Sequence, residues 1–236
     1  MDVVMTPDFW IDLFKIILIN IVLSGDNAVV IALASRSLPP QQQKQAIIFG
    51  SVGAIVLRII LTFFAVVLLG QPYLKLIGAA LLLWIGIGLL KGEDEDADLE
   101  GHSGLAAAVK TIIVADLVMS LDNVIGVAAA AKGNLLLLVL GLVISIPLII
   151  FGSTIILKLM NRFPIIITIG AGLLGWVAGE MAVTDPAVAG YVGHDKVIHT
   201  AAAIAGAILV VVVGKWLASR GGSDAEGTPA ADQKAA

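Results

Sequence analysis

Two carboxylate–amide pairs stand where water is scarce. In "IVLSGDNAVVIALAS" (21–35) Asp26 and Asn27 interrupt a long apolar run, and in "LVMSLDNVIGVAAAA" (117–131) Asp122 and Asn123 do so in the same frame. A charged side chain at the centre of such a run costs about 2.5–3.5 kcal/mol on insertion scales, so it is kept mainly where it faces a partner or a cavity. Asp116 and Glu180 lie in apolar stretches as well, whereas Arg58 is the only base that does so centrally. Four acids against one base leave a charge deficit. Either most of the acids are protonated, or a bound cation supplies the missing charge. Two Asp carboxylates, two Asn carbonyls and the backbone carbonyls of a locally unwound helix offer about six oxygens, a set suited to Mg²⁺, Ca²⁺ or Mn²⁺. Gly25 lowers the cost of such unwinding beside Asp26, while Leu121 holds the matching place in the second copy, so the first helix is expected to break more than its twin.

The elements that position these groups must be membrane helices. Of 236 residues, 59% are hydrophobic and 14% charged, and the mean hydropathy is +1.03. Soluble domains carry about 25% charged residues. Cysteine is absent, which rules out disulfides and thiolate metal sites. The Lys and Arg residues form no dense basic block and the net charge is −4, so nucleic acid is not an expected partner. The lipid bilayer is, and a homo-oligomer is compatible with the sequence.

Apolar length and turn signals predict an all-α membrane protein with seven transmembrane helices: Phe9–Ala34, Ala46–Leu69, Leu74–Leu90, Val109–Ala131, Leu135–Leu157, Ile165–Ala182 and Val197–Leu217. Together they make one transmembrane domain over 1–218. Most Lys and Arg, among them Arg36, Lys44, Lys91, Lys110 and Arg162, fall on one side. The positive-inside rule makes that side cytoplasmic. The protein is then expected in the inner or plasma membrane, N-terminus outside and C-terminus inside. The tail 219–236 has the composition of a disordered segment.

The chain also repeats. Asn20, Ser24, Asp26 and Asn27 recur in register as Asp116, Ser120, Asp122 and Asn123, and in the third helix of each half Pro72 matches Pro164, Trp84 matches Trp176 and Gly88 matches Glu180. Repeat A covers about 9–91, repeat B about 109–183, and the helix at about 197–217 is an addition. Each repeat crosses an odd number of times, so the copies are expected to be inverted, as in many secondary transporters whose sites lie at the repeat interface.

Plainer readings exist for each feature. Asp and Asn in a bilayer also hydrogen-bond between helices. Asp116 and Asn20 sit before the pairs and are expected to support them from behind, with Ser24 and Ser120; Arg58 is expected to pair with one of the acids. Glu180, near a helix end, is as well suited to an interfacial position as to the site. Glycines of "GWVAG" (175–179) permit close helix packing. The acidic run "GEDEDADLEGHSG" (92–104) reads as a linker, and Asp195 as the N-cap of the last helix.

The two motifs "LSGDNAVVIALA" and "ADLVMSLDNVIGVAAAA", at their places in the two halves, resemble those of the TerC integral membrane proteins, in particular the YjbE-type metal-transporter branch. The resemblance runs from about Trp10 to Leu217. It implies metal-ion efflux, manganese export foremost, and kinship with lysine-exporter folds. Carried over, the ligand positions are Asp26, Asn27, Asp122, Asn123 and, less directly, Asp116. The expectation is therefore a secondary transporter exporting divalent cations, Mn²⁺ first, by alternating access and in exchange for protons. The metal is substrate, no cofactor is implied, and the chain is not expected to be an enzyme. An intramembrane aspartyl protease is the rival from another class, but "SGDN" lacks the Gly-x-Gly-Asp pattern of that chemistry and nothing in it calls for paired Asn. A metal sensor or scaffold that does not transport is the third reading.

Overall fold

The computed structural model describes residues 7–69, 71–91, 101–131, 134–193 and 195–224. Among them all regular structure is helical: α1 (Pro7–Leu23), α2 (Gly25–Ser35), α3 (Pro40–Leu69), α4 (Leu74–Lys91), α5 (Gly101–Ala130), α6 (Leu135–Arg162), α7 (Ile165–Val183), α8 (Pro186–Val192) and α9 (Lys196–Asp224). Among the described residues six helices are long and apolar enough to cross a membrane, and α1 with α2, bent by 48° at the break between them, makes a seventh if the pair is one span. Large apolar side chains such as Phe14, Phe63, Trp84, Phe151 and Ile169 are exposed along these helices, a surface that suits hydrocarbon rather than water. The chain is a multi-pass membrane protein.

The helices run further than apolar length predicts. α3 starts at Pro40 and α5 at Gly101, while α6 continues through Pro147 to Arg162. α9 reaches Asp224, so residues 219–224 of the expected disordered tail are helical; 225–236 lie outside the described residues, as do 92–100 of the acidic linker. Capping sets several starts. Asn134 accepts from the backbone N–H groups of Leu136 and Leu137 at the head of α6. Asp195 accepts from Val197 N–H at 2.8 Å, as expected for the last helix.

Packing links the halves of the chain pairwise: α3 lies along α5, α1 and α2 along α6, and α4 along α7. The most extensive contact is between α7 and α9. A Cβ on Gly175 would strike the backbone of Gly206, and one on Gly179 the backbone of Ala202, so two helices meet main chain to main chain through the small residues flagged in "GWVAG". At the far end of α2, Arg36 donates to the carbonyl of Leu89 at 2.9 Å and ties α2 to the last turn of α4.

One residue closes the opposite side. Asp185 is fully buried, and its carboxylate accepts from Ala187 N–H (2.8 Å), Tyr73 N–H (2.9 Å), Lys75 N–H (3.0 Å) and Leu76 N–H (3.2 Å). It therefore caps α8 and α4 together, and it holds Tyr73 at φ 68°, a left-handed conformation a tyrosine seldom adopts unaided. Burial pushes this carboxyl up, but the four backbone donors outweigh it and hold it below the usual carboxylate value.

Two stability tests follow from these contacts. Gly179→Ala is expected to cost about 1–3 kcal/mol by overpacking, whereas Gly88→Ala, whose new Cβ meets nothing within 4 Å, is expected to be neutral or to stabilise by up to about 1 kcal/mol through helix propensity; unfolding in detergent reads both. Asp185→Ala strands buried donors and is expected to cost at least about 2 kcal/mol at neutral pH. Because the folded-state value is depressed, the Asp185 contribution is complete above the unfolded-state value and is lost as pH falls through the folded one, so the gap between wild type and Asp185→Ala closes in acid.

Candidate cation site

The centre of the molecule is organised by one guanidinium. Arg58, midway along α3, is 1% exposed. Its Nε donates to Ser120 Oγ at 2.9 Å, one terminal nitrogen donates to Asn20 Oδ1 at 2.7 Å and to Ser24 Oγ at 3.1 Å, and the other forms an ion pair with Asp116 Oδ1. Asp116 Oδ2 accepts from Ser120 Oγ at 3.0 Å, and Ser24 Oγ donates to Asn20 Oδ1 at 3.4 Å. Asn20 and Ser24 on one side, Asp116 and Ser120 on the other, are the residues that the internal repeat aligns. One arginine thus grips the same motif from both halves.

Helical spacing makes the grip possible. Asn20 and Ser24, like Asp116 and Ser120, are four residues apart and so stack on one face of a turn. The two copies differ in backbone. The first breaks at Ser24, whose φ of −109° and ψ of 6° leave the helix, and whose hydroxyl caps nothing because Arg58 and Asn20 engage it. The second passes through Ser120 and Leu121 without interruption. The break expected beside Gly25 is present, one residue earlier. Gly25 itself is exposed, with open space where a Cβ would stand and no left-handed φ, so neither a neighbour nor the backbone conformation demands glycine there.

The first Asp–Asn pair follows the break. Asp26 is half-buried, accepts from Asn27 N–H at 2.9 Å and follows by two residues Ser24, a partner of Arg58. Asn27 is 3% exposed, and neither its Oδ1 nor its Nδ2 has a protein partner. A buried amide without partners costs about 1–3 kcal/mol, and such a group in a native interior calls for a ligand, water or ion. In the second pair, Asn123 is half-buried and engaged, and the side chain of Asp122 lies outside the described residues.

The remaining candidates separate. Asp116 has both oxygens committed within the arginine cluster, so of its two expected roles the supporting one matches its contacts. Glu180 is exposed on α7 and its side chain takes no part in the cluster, which corrects its placement among the supporting residues. Among the described residues no three Asp, Glu or His side chains converge as a metal cluster, so any cation here would rely on amide and backbone oxygens as well as carboxylates. Sequence reading passed over Asp12, 8% exposed on α1 and paired with Lys15 at 3.2 Å; the i, i+3 spacing was its only signal.

Comparison with known proteins finds a family of membrane proteins. The family described as "Integral membrane protein TerC family" matches residues 5–221. The chain is 43% identical over 196 residues to "Uncharacterized membrane protein YjbE" of Bacillus subtilis (strain 168), covering 83% of this chain and 90% of that one. It is 26% identical over 203 residues to "Uncharacterized membrane protein YkoY" of the same strain, 77% of this chain and 62% of that one. To "UPF0053 inner membrane protein YgdQ" of Escherichia coli (strain K12) it is 27% identical over 177 residues, 67% and 74% of the two chains. No solved structure matches.

The ion pair makes its own test. Arg58→Gln leaves the Asp116 carboxylate buried without its cation and is expected to cost about 3–5 kcal/mol, and Arg58→Gln with Asp116→Asn is expected to recover most of that loss. Unfolding of the purified variants in detergent measures both.

Proposed function

The chain belongs to the TerC family of integral membrane proteins, and on that premise we propose that it is a secondary transporter that exports a divalent cation, Mn²⁺ first among candidates, and not an enzyme. The observation that carries the reading is Asn27, a buried amide with two unpartnered atoms beside Asp26, at a helix break within the bilayer. A break of this kind frees the last carbonyls of the preceding helix, and transporters use such carbonyls to coordinate cations. Asp26, Asn27, Asp122 and Asn123 are the proposed ligands, all with hard oxygens that match Mn²⁺, Mg²⁺ or Ca²⁺.

The packing supports an inverted arrangement of the halves. α1 and α2 pair with α6, α3 with α5, and α4 with α7. First meets second, second meets first, and third meets third, which is the pattern that a two-fold exchange of the halves produces. The proposed site then lies at the repeat interface, with the N-terminus outside, the C-terminus in the cytoplasm, and the halves alternating access. Protons compete for the same carboxylate oxygens and are the proposed exchange ions. Met119, a soft donor by type, is packed in the core between α2, α4, α5 and α7 and is not counted as a ligand.

Flux of Mn²⁺ in proteoliposomes tests the proposal. Wild-type protein is expected to move the ion, while Asp26→Asn and Asp122→Asn are expected to fall to background with their detergent unfolding curves unchanged or improved. Full transport by both variants, or none by the wild type with Mn²⁺, Mg²⁺ and Ca²⁺ each supplied, refutes it.

A further inference from the structure

The Arg58 cluster contains a charge balance that the proposed transport cycle leaves unused. The guanidinium places four of its N–H groups on Asn20, Ser24, Ser120 and Asp116, and arginine does not lose its proton inside proteins. It is a permanent cation held from both halves of the chain. Among the described residues Asp116 is its only carboxylate partner, with one oxygen in the ion pair and the other on Ser120. Asp26 follows by two residues Ser24, whose hydroxyl the guanidinium holds at 3.1 Å. Paired with Arg58, Asp116 adds no net charge to its surroundings, although it is an acid that the repeat places just behind the proposed ligands.

We infer that Arg58 sets the valence of the cation this protein accepts, by withdrawing Asp116 from the ligand field. With Asp116 neutralised, Asp26 and Asp122 present two negative charges, which a single divalent ion cancels. Without Arg58 the same site would present three and would favour a trivalent ion. Arg58 touches no cargo in this account. It is a positioning and specificity-determining residue that acts through Asp116, and the inference rests on the reading that the Asp–Asn pairs hold the cation.

The test is the ratio of Gd³⁺ to Mn²⁺ affinity, measured by titrating each chloride salt into the purified full-length protein in detergent. A ratio is insensitive to the fraction of protein that is folded, and a merely structural role for Arg58 would lower both affinities alike. Arg58→Gln is expected to raise the ratio at least about tenfold, because one more unit charge at close range is uncompensated. Arg58→Gln combined with Asp116→Asn is expected to return it to within about threefold of wild type, and Arg58→Lys to leave it near wild type. An unchanged ratio in Arg58→Gln, or a double variant that stays shifted, overturns the inference. Should Arg58→Gln alone fail to fold, Asp116→Asn decides: the stranded guanidinium is expected to weaken Mn²⁺ binding at least about tenfold, with recovery on adding Arg58→Gln, and no recovery overturns the inference. Absence of saturable binding of either ion to wild type is a distinct result, which sinks the cation-site reading itself.

Discussion

A guanidinium buried at the middle of an apolar bundle is the constraint around which the rest of this molecule is arranged. Left alone there, it would be among the most costly groups a helix can carry. Arg58 is tolerated because two helices and a break deliver acceptors to it: Asn20 from α1, Ser24 from the break that follows, and Asp116 and Ser120 from α5. The helices are in turn held in register by the need to satisfy it. Removing one partner from such a set is expensive because the others cannot relax into solvent. The cluster therefore fixes where α1, α3 and α5 meet, and with them the position of the Asp–Asn pair just beyond.

Much of this was readable before any coordinates. Apolar length locates the spans, because in hydrocarbon the backbone leaves no cheaper option than a helix. The duplicated Ser-x-Asp-Asn pattern marks the candidate site, since polar residues in matching places of two apolar helices are costly to keep without a role. The asymmetry of Gly25 and Leu121 pointed to a larger break in the first copy than in the second. Other features were out of reach for physical reasons. The polar turns that begin α3 at Pro40 and α5 at Gly101 carry no apolar signal, so they read as loops. Glu180 shares its register with Gly88 but is exposed on α7, since sequence gives the register of a helix more readily than its rotation.

Asp185 shows the limit most clearly. Asp before Pro at a helix start announces an N-cap, and Asp185 does cap α8. That it also caps α4 and stabilises the left-handed Tyr73 depends on two loops, far apart in sequence, that meet only in the folded bundle. Local grammar names the capping residue; it cannot count how many helices that residue serves. Arg58 lies between these extremes. Its burial implied an acid partner, but which one, and that it would grip both copies of the motif, was set by packing of α3 against α5.

The seam between α7 and α9 has a mechanical meaning. Where Gly175, Gly179 and Gly206 let main chains touch, there are no side-chain torsions to rotate and absorb a displacement, so neither helix can slide without dragging the other. With α4 packed on both, the three form a stiff chassis. The C-terminal helix, which has no counterpart in the repeat, is thereby keyed to the third helix of each half.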